Sequence, residues 1–277
     1  MIPLTSVDSI LSIITRIKTL NKGNLTNFFL DIPKSDLWIK LNLILYEEIG
    51  ETVFIFRNNQ GFYNLFYITT DITTFKRDFE VFCRNNLIDI FVVDIVGRIQ
   101  DIEEIKSIFT QAGFFKYTSL VRMSKIQTQN ENSHSDKETI FYSGANDQSR
   151  IFDLLQIYFD PYAEQLPLID EIISWSKNKN ILIYSDDNFT IQGFLIYELK
   201  GLTSYLRYWF VHPDYRDKKI GSALLRKFLA ESSSSKRQLF WVIESNDNAI
   251  KRYEHYGFSK ETLVDCIMIN RNIYYGG

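Results

Sequence analysis

Apolar positions change period several times along the first half of the chain. Ile10, Ile13, Ile14 and Ile17 fall on one helical face and predict a helix over 5–20. Residues 36–49 read as a second helix with Asp36 near its start. TVFIF (52–56) and FYNLFYI (62–68) flank the polar RNNQG turn and predict a hairpin. A helix over 72–84 and a buried strand over 88–96 follow. A helix over 101–112 then stops at Gly113, and a strand runs over 115–123.

The pattern then breaks. SKIQTQNENSHSDKET (124–139) has almost no apolar side chains, so it cannot bury enough surface to order itself. This places a linker at 126–138 between two domains, 1–125 and 139–277. The second domain reads as a strand at 139–143, a helix near 146–159, and a helix over LIDEIISWS with Pro167 in its first turn. A strand pair (NILIYSDD and TIQGFLIYEL) and a strand at 204–211 come next. They are followed by a helix over 222–232, a strand at 238–245, a helix over 247–256 ending at Gly257, and a strand at 263–270. Such alternation indicates an α/β (α+β) fold, a mixed central sheet flanked by helices.

The chain also echoes itself. The segment from Ile88 to Met123 and the segment from Arg237 to Asn270 both read strand, helix, Gly-Phe, strand, with Gly113-Phe114 and Gly257-Phe258 as anchors. Two similar domains in tandem are therefore expected.

Composition adds limits. The 277 residues are 45% hydrophobic and 23% charged, enough for two cores. A net charge of −3 argues against a nucleic-acid partner held by bulk positive charge. Cys83 and Cys266 stand in no CxxC or Cys/His cluster, so no metal site is expected and both read as free, buried thiols. The N-terminus lacks a signal-peptide pattern and no stretch is long enough to span a membrane. A cytoplasmic protein without a membrane partner is expected.

Candidate chemistry concentrates in VHPDYRDKKIGSALL (211–225). A strand ends at Val211, Pro213 prevents its continuation, and a helix opens near Gly221. The first N–H groups of a helix have no internal partner, and its dipole favours an anion there. Gly221 removes a Cβ from the approach, Arg216, Lys218 and Lys219 bring charge, and Ser222 offers a hydroxyl. A second segment, NDNAIKRYEHYGF (246–258), has Asn246 as a helix cap and Ala249 and Tyr253 on one face. Tyrosine in a helix most often simply packs, but its O–H can also donate a proton to a departing thiolate.

Together these segments resemble the GNAT superfamily of N-acetyltransferases. The phosphate loop of that family follows Arg/Gln-x-x-Gly-x-Gly/Ala after a strand ending Val-x-Pro. Here the run is Arg216-Asp217-Lys218-Lys219-Ile220-Gly221 after Val211-His212-Pro213, with Lys219 where the first glycine stands. The family's Asn-x-x-Ala-x-x-x-Tyr-x-x-x-Gly-Phe is complete in Asn246, Ala249, Tyr253, Gly257 and Phe258. A side chain at Lys219 either narrows the loop, takes a costly left-handed conformation, or adds a phosphate contact.

The resemblance implies an acyl-CoA N-acyltransferase fold and acetyl-CoA as acyl donor to a primary amine, attacked directly and without metal. Phe210 and Val211 would pair with the pantetheine arm through their backbone. Arg216 and the amides of Asp217, Lys218, Lys219, Ile220, Gly221, Ser222 and Ala223 would hold the pyrophosphate. Asn246 would contact the pantetheine or acyl end, and Tyr253 would protonate the leaving thiolate. Glu198 is the first choice for a base, with Tyr208 and His212 behind it, and Tyr208 and Trp209 are candidates for an acceptor cleft. The first half lacks the loop, and Phe109 and Ile102 stand where Tyr253 and Asn246 do. It reads as a degenerate or supporting domain. The other reading is a CoA-binding or protein-interaction module without catalysis. The acceptor and the oligomeric state, a homodimer included, are not written in the sequence.

Overall fold

The structure, a computed structural model, describes residues 1–20, 24–86, 89–126, 140–185 and 190–271. The expected linker falls almost wholly outside them. The first unit comprises residues 1–120 and 262–277, and the second residues 121–261.

In chain order the first part runs β1 (Ile2–Pro3), α1 (Val7–Leu20), β2 (Leu25–Thr26), α2 (Ile32–Lys40), β3 (Ile44–Ile49), β4 (Thr52–Asn59), β5 (Phe62–Thr69), α3 (Ile72–Asn86), β6 (Phe91–Arg98), α4 (Ile99–Gln111) and β7 (Phe115–Ile126). The second runs β8 (Ile140–Tyr142), α5 (Gln148–Tyr158), α6 (Ile169–Lys177), β9 (Ile181–Ser185), β10 (Ile191–Lys200), β11 (Thr203–Val211), α7 (Ile220–Glu231), β12 (Arg237–Ile243), α8 (Asp247–His255) and β13 (Ser259–Ile269). Apart from the two-residue β2 and two three-residue 3-10 turns in the second part (Ala145–Asp147 and Pro213–Tyr215), the two lists match element for element. The repeat thus extends well beyond the segment in which the sequence displays it.

The first unit orders its strands β1-β3-β4-β5-β6-β13, and the second β8-β9-β10-β11-β12 with residues 121–126 of β7 beyond β12. Neighbours for which registers are resolved run antiparallel, apart from β5–β6 and β11–β12, which are parallel. The last strand is not where the sequence puts it. Expected with residues 139–277, β13 instead pairs with β6 over Leu263–Ile269 and lies in the first unit's sheet. The long apolar edge of β6 requires a ladder partner, and β13 supplies one along nearly its whole length.

A second difference lies at 36–49, expected as one helix. The helix starts earlier, at Ile32, because Asp31 accepts the Lys34 N–H (3.2 Å) and Pro33 fits the first turn. It ends at Lys40, Asn42 turns left-handed (φ 54°), and Ile44–Ile49 joins β4 as a strand. Pro167 precedes α6 rather than entering its first turn.

The first unit's core is aromatic: Phe54, Phe75, Phe79, Phe82, Phe91 and Phe109 pack between one sheet face and α3 and α4. Cys83 and Cys266 are buried free thiols at its margin. In the second unit Ile151, Leu155, Ile172 and Trp175 of α5 and α6 cover one face of β9–β11. Among the described residues no helix is long and apolar enough to cross a membrane, and no group of three or more His, Cys, Asp or Glu gathers as a metal site would.

Candidate active site

β11 pairs with β10 from Thr203 to Val211. On its other edge it pairs with β12 only at Thr203, Ser204 and Tyr205. Beyond Tyr205 the two parallel strands diverge, and a cavity of about 870 Å³ opens between them. Its walls are Leu206–Val211 of β11, Trp241–Ile243 of β12, the start of α7, and α8. One wall is therefore a strand edge from which β12 has withdrawn. A groove of this shape suits an extended ligand able to hydrogen-bond like a strand.

The start of α7 is pressed against this edge. A Cβ on Gly221 would lie 3.1 Å from the Trp209 ring and 3.3 Å from Val211. A Cβ on Gly193 of β10 would lie 2.8 Å from the Phe210 carbonyl oxygen and 3.0 Å from Ile220. Glycine at 221 thus serves helix–strand contact, and its missing Cβ faces the sheet rather than the loop. The helix opens without a side-chain cap, because its N-cap residue is Lys219. Ala223 already donates its N–H to the Lys219 carbonyl (3.0 Å), so its amide belongs to the helix and not to an anion site. The amides of Ile220, Gly221 and Ser222 are the ones left outside the helical ladder. Asp217 and Lys219 are both left-handed (φ 68° and 61°), which coils the loop around this end. Arg216, Asp217 and Lys219 line the cavity with these three residues. Lys218 does not; its ammonium lies over the Tyr215 ring at 4.8 Å. The donor set and the exposed cations suit a diphosphate.

The opposite wall carries the second sequence segment. Asn246 caps α8, its Oδ1 accepting the Ala249 N–H (3.1 Å), and it lines the cavity with Ala249 and Tyr253. Tyr253 is packed between Phe240 (centroids 4.2 Å apart) and Trp209 (5.3 Å). Burial raises its phenol well above the ordinary tyrosine value and keeps the proton on the oxygen. Trp209, also in the wall, has a buried indole N–H with no acceptor among the described residues.

The expected base is not here. Glu198 lies opposite Tyr205 in the β10–β11 ladder, at the end of β11 where β12 is still attached, and it does not line the cavity. Its carboxylate is engaged by Trp175 Nε1 (3.3 Å), Arg207 Nε (3.5 Å) and Lys200 Nζ (3.7 Å). His212 also stays outside, its Nε2 3.2 Å from the Tyr158 hydroxyl. Tyr208 lines the cavity, but its hydroxyl donates to the carbonyl oxygens of Glu164 (3.2 Å) and Gln165 (3.0 Å).

Those bonds bring in a residue the sequence reading passed over. Glu164, between α5 and α6, lines the cavity with Tyr253. Its Oε2 accepts the Asp160 N–H (2.9 Å). Burial, with a smaller push from the Asp160 charge, raises its carboxyl to about 7. No local pattern in DPYAEQLPL marks it, since its environment is made by β11 and α8.

The matching place in the first unit is built differently. There β5 pairs with β4 along one edge and with β6 only at Tyr63 and Asn64. The edge freed beyond Asn64 is taken by the chain itself. β2 pairs with Ile68 and Thr69, and Asn27 donates to the carbonyls of Leu65 and Asp94 (3.1 Å each) while accepting the Tyr67 N–H (2.8 Å). Only Thr70 and Asp71 separate β5 from α3. Asp71 caps the helix, accepting from the Thr74 N–H (2.8 Å), and that bond holds its carboxyl below the ordinary value. Phe109, at the place of Tyr253, is fully buried in the aromatic core. Ile102 lies inside α4 and not at a cap, because α4 begins earlier than α8 does relative to its Gly-Phe end.

Residues 149–258 match the model of the acetyltransferase (GNAT) family. Among solved structures, the chain is similar to a GCN5-related N-acetyltransferase from Sphaerobacter thermophilus (13% identity, TM-score 0.59, 79% of this chain and 76% of that one). It is also similar to a tandem GNAT protein from the clavulanic acid biosynthesis pathway (9% identity, TM-score 0.59, 97% of each chain). A Drosophila protein shows the same level of likeness (12% identity, TM-score 0.59, 97% and 98%). At such identities the likeness is one of fold, and it spans the tandem arrangement. No curated protein sequence matches the chain.

Proposed function

We propose that the second unit, whose residues 149–258 match the acetyltransferase (GNAT) family, moves an acyl group, most simply acetyl, from acyl-CoA to a primary amine. The observation that carries this reading is the strand edge of β11, abandoned by β12 beyond Tyr205 and ending at the uncapped start of α7. The pantetheine arm would run along Leu206–Val211, with the diphosphate at the amides of Ile220, Gly221 and Ser222 and beside Arg216. The first unit supports the geometry, because a peptide segment lies on the equivalent edge of β5.

Tyr253 faces the same cavity as an intact phenol. As the C–S bond breaks, negative charge grows on sulfur, and this O–H can donate to it. In a module that only bound CoA, the loop and the β11 edge would suffice, and the half-buried Glu164 carboxyl, raised to about 7, would have no role.

The test is thiol release from acetyl-CoA by the full chain against a panel of primary amines. Tyr253→Phe is expected to slow release by about a hundredfold or more while leaving CoA affinity within a few-fold. Wild-type protein that binds acetyl-CoA but releases no thiol with any amine would return the unit to a binding role.

A further inference from the structure

We propose that Glu164 is the general base of this site and that the acceptor is an alkylamine arriving as its ammonium ion. The inference rests on the transfer reading above and goes beyond it to the proton and the substrate class.

An alkylamine is protonated near neutral pH and has no lone pair with which to attack. Some group in the cavity must take that proton. Among the described residues two carboxylates line the cavity, Glu164 and Asp217. Asp217 is exposed in the loop, beside the amides suited to phosphate. Glu164 lies at the other end, close enough to Tyr253 for its charge to bear on that phenol. The acid and the base of one reaction are thereby in one chamber.

The segment is also held in place. The Glu164 N–H donates to the Asp160 carbonyl (2.9 Å), and Asp160 Oδ1 accepts from the Tyr162 N–H (2.9 Å). The Tyr208 phenol bonds the carbonyl oxygens of both Glu164 and Gln165. Gln165 is left-handed (φ 42°), a strained conformation for a residue with a Cβ. Strain beside a half-buried carboxyl, fixed by a bond from the substrate-facing strand, marks a position held for use.

The charged and titratable groups around Glu164 are Asp160 on its own segment, Arg207 and Tyr208 on β11, and Arg252 and Tyr253 on α8. Arg207 is already engaged by Glu198. A cation entering this end meets the Glu164 carboxylate, which then accepts one ammonium proton. The freed nitrogen attacks the thioester carbonyl carbon, forming C–N, and the C–S bond breaks. Sulfur takes its proton from Tyr253. The second nitrogen proton, lost as the amide forms, restores that phenol. Glu164 returns its proton to solvent, so two protons leave nitrogen, one ending on the thiol and one in water.

The test uses the full chain, an alkylamine the wild type accepts, and aniline, which is neutral at the assay pH. Glu164→Gln is expected to lower kcat/KM for the alkylamine by about a hundredfold. It should also abolish the rise in rate through pH about 7 that the wild type shows. Acetyl-CoA affinity by calorimetry should stay within threefold, Glu164→Asp should recover part of the rate, and any turnover of aniline should fall less. A Glu164→Gln variant within threefold of wild type and with the same pH profile overturns this assignment alone. A wild type that turns over no amine overturns the transfer reading, and this inference with it.

Discussion

The two units solve the same geometric problem in opposite ways. In each, a central parallel pair comes apart after two or three residues and leaves a strand edge open. In the first unit the protein fills its own gap: β2 and Asn27 lie on β5, and Asp71 closes the start of α3 with a carboxylate. In the second unit the edge borders a cavity, the start of α7 has no side-chain cap, and Lys219 holds a left-handed conformation. An anion place already holding a carboxylate has no use for a phosphate. The first unit satisfies its backbone internally, whereas the second leaves donors, strain and a half-buried acid in place. Sites that act on ligands are commonly less stable than the scaffold around them.

This contrast can be broken by experiment. The largest effect is expected at Glu164. Its folded carboxyl binds a proton more tightly than the unfolded one, so wild-type stability falls as pH rises from about 4.5 to about 7 and then levels. Glu164→Gln removes that loss. Thermal melts should show the variant gaining on wild type through this window, up to roughly 3 kcal/mol above pH 7. A difference that does not change with pH would mean the carboxyl is not held at such a cost.

Asn27→Ala works in the other unit and in the other direction. Losing the bonds to Leu65, Asp94 and Tyr67 should cost roughly 2 kcal/mol in urea unfolding. Titration calorimetry should still find one CoA per chain, because Asp71 and the short turn remain. A second equivalent appearing in this variant would show that Asn27 alone keeps the first cleft shut. Asp71→Ala removes a helix cap and should lower the urea midpoint by less than Asn27→Ala does, with no CoA site gained.

The smallest change is Lys219→Gly. Glycine takes φ 61° without strain, so the variant should be more stable by about 0.5–1 kcal/mol. If the ammonium also meets the phosphates, CoA affinity falls despite the better backbone. If affinity rises instead, Lys219 is merely tolerated.

Much of the second cleft was legible in the sequence. The run from Val211 to Ala223 and the run from Asn246 to Phe258 are local, and local chemistry sets a helix start, a cap and a left-handed residue. Asn246 caps as its type suggests, and Lys219 adopts the conformation its place in the loop demands. The Gly-Phe repeat also transmits: Gly113 and Gly257 are both left-handed after their helices (φ 90° and 84°). What the sequence hid depends on distant partners. Glu198 looked placed for chemistry, yet strand register sets it opposite Tyr205, outside the cavity. Glu164 looked like an ordinary loop residue, and only β11 and α8 make it a half-buried acid with a raised carboxyl. Ile44–Ile49 read as helix because its apolar residues fit either period until β4 is beside them. The filling of the first cleft by Asn27 has no signature at all in LTNFF.

The exchanged last strand has a consequence for how the protein is made. Synthesis runs from the N-terminus, so the first unit is nearly complete long before its final strand exists. Until residues 262–269 emerge, β6 lacks the partner it keeps in the finished sheet, and an apolar strand edge stays open to whatever passes. The second unit, with its strands from β8 to β12, must be translated within that interval. The first unit to begin is thus among the last to close, and no single cut between residues 121 and 261 would leave both sheets whole.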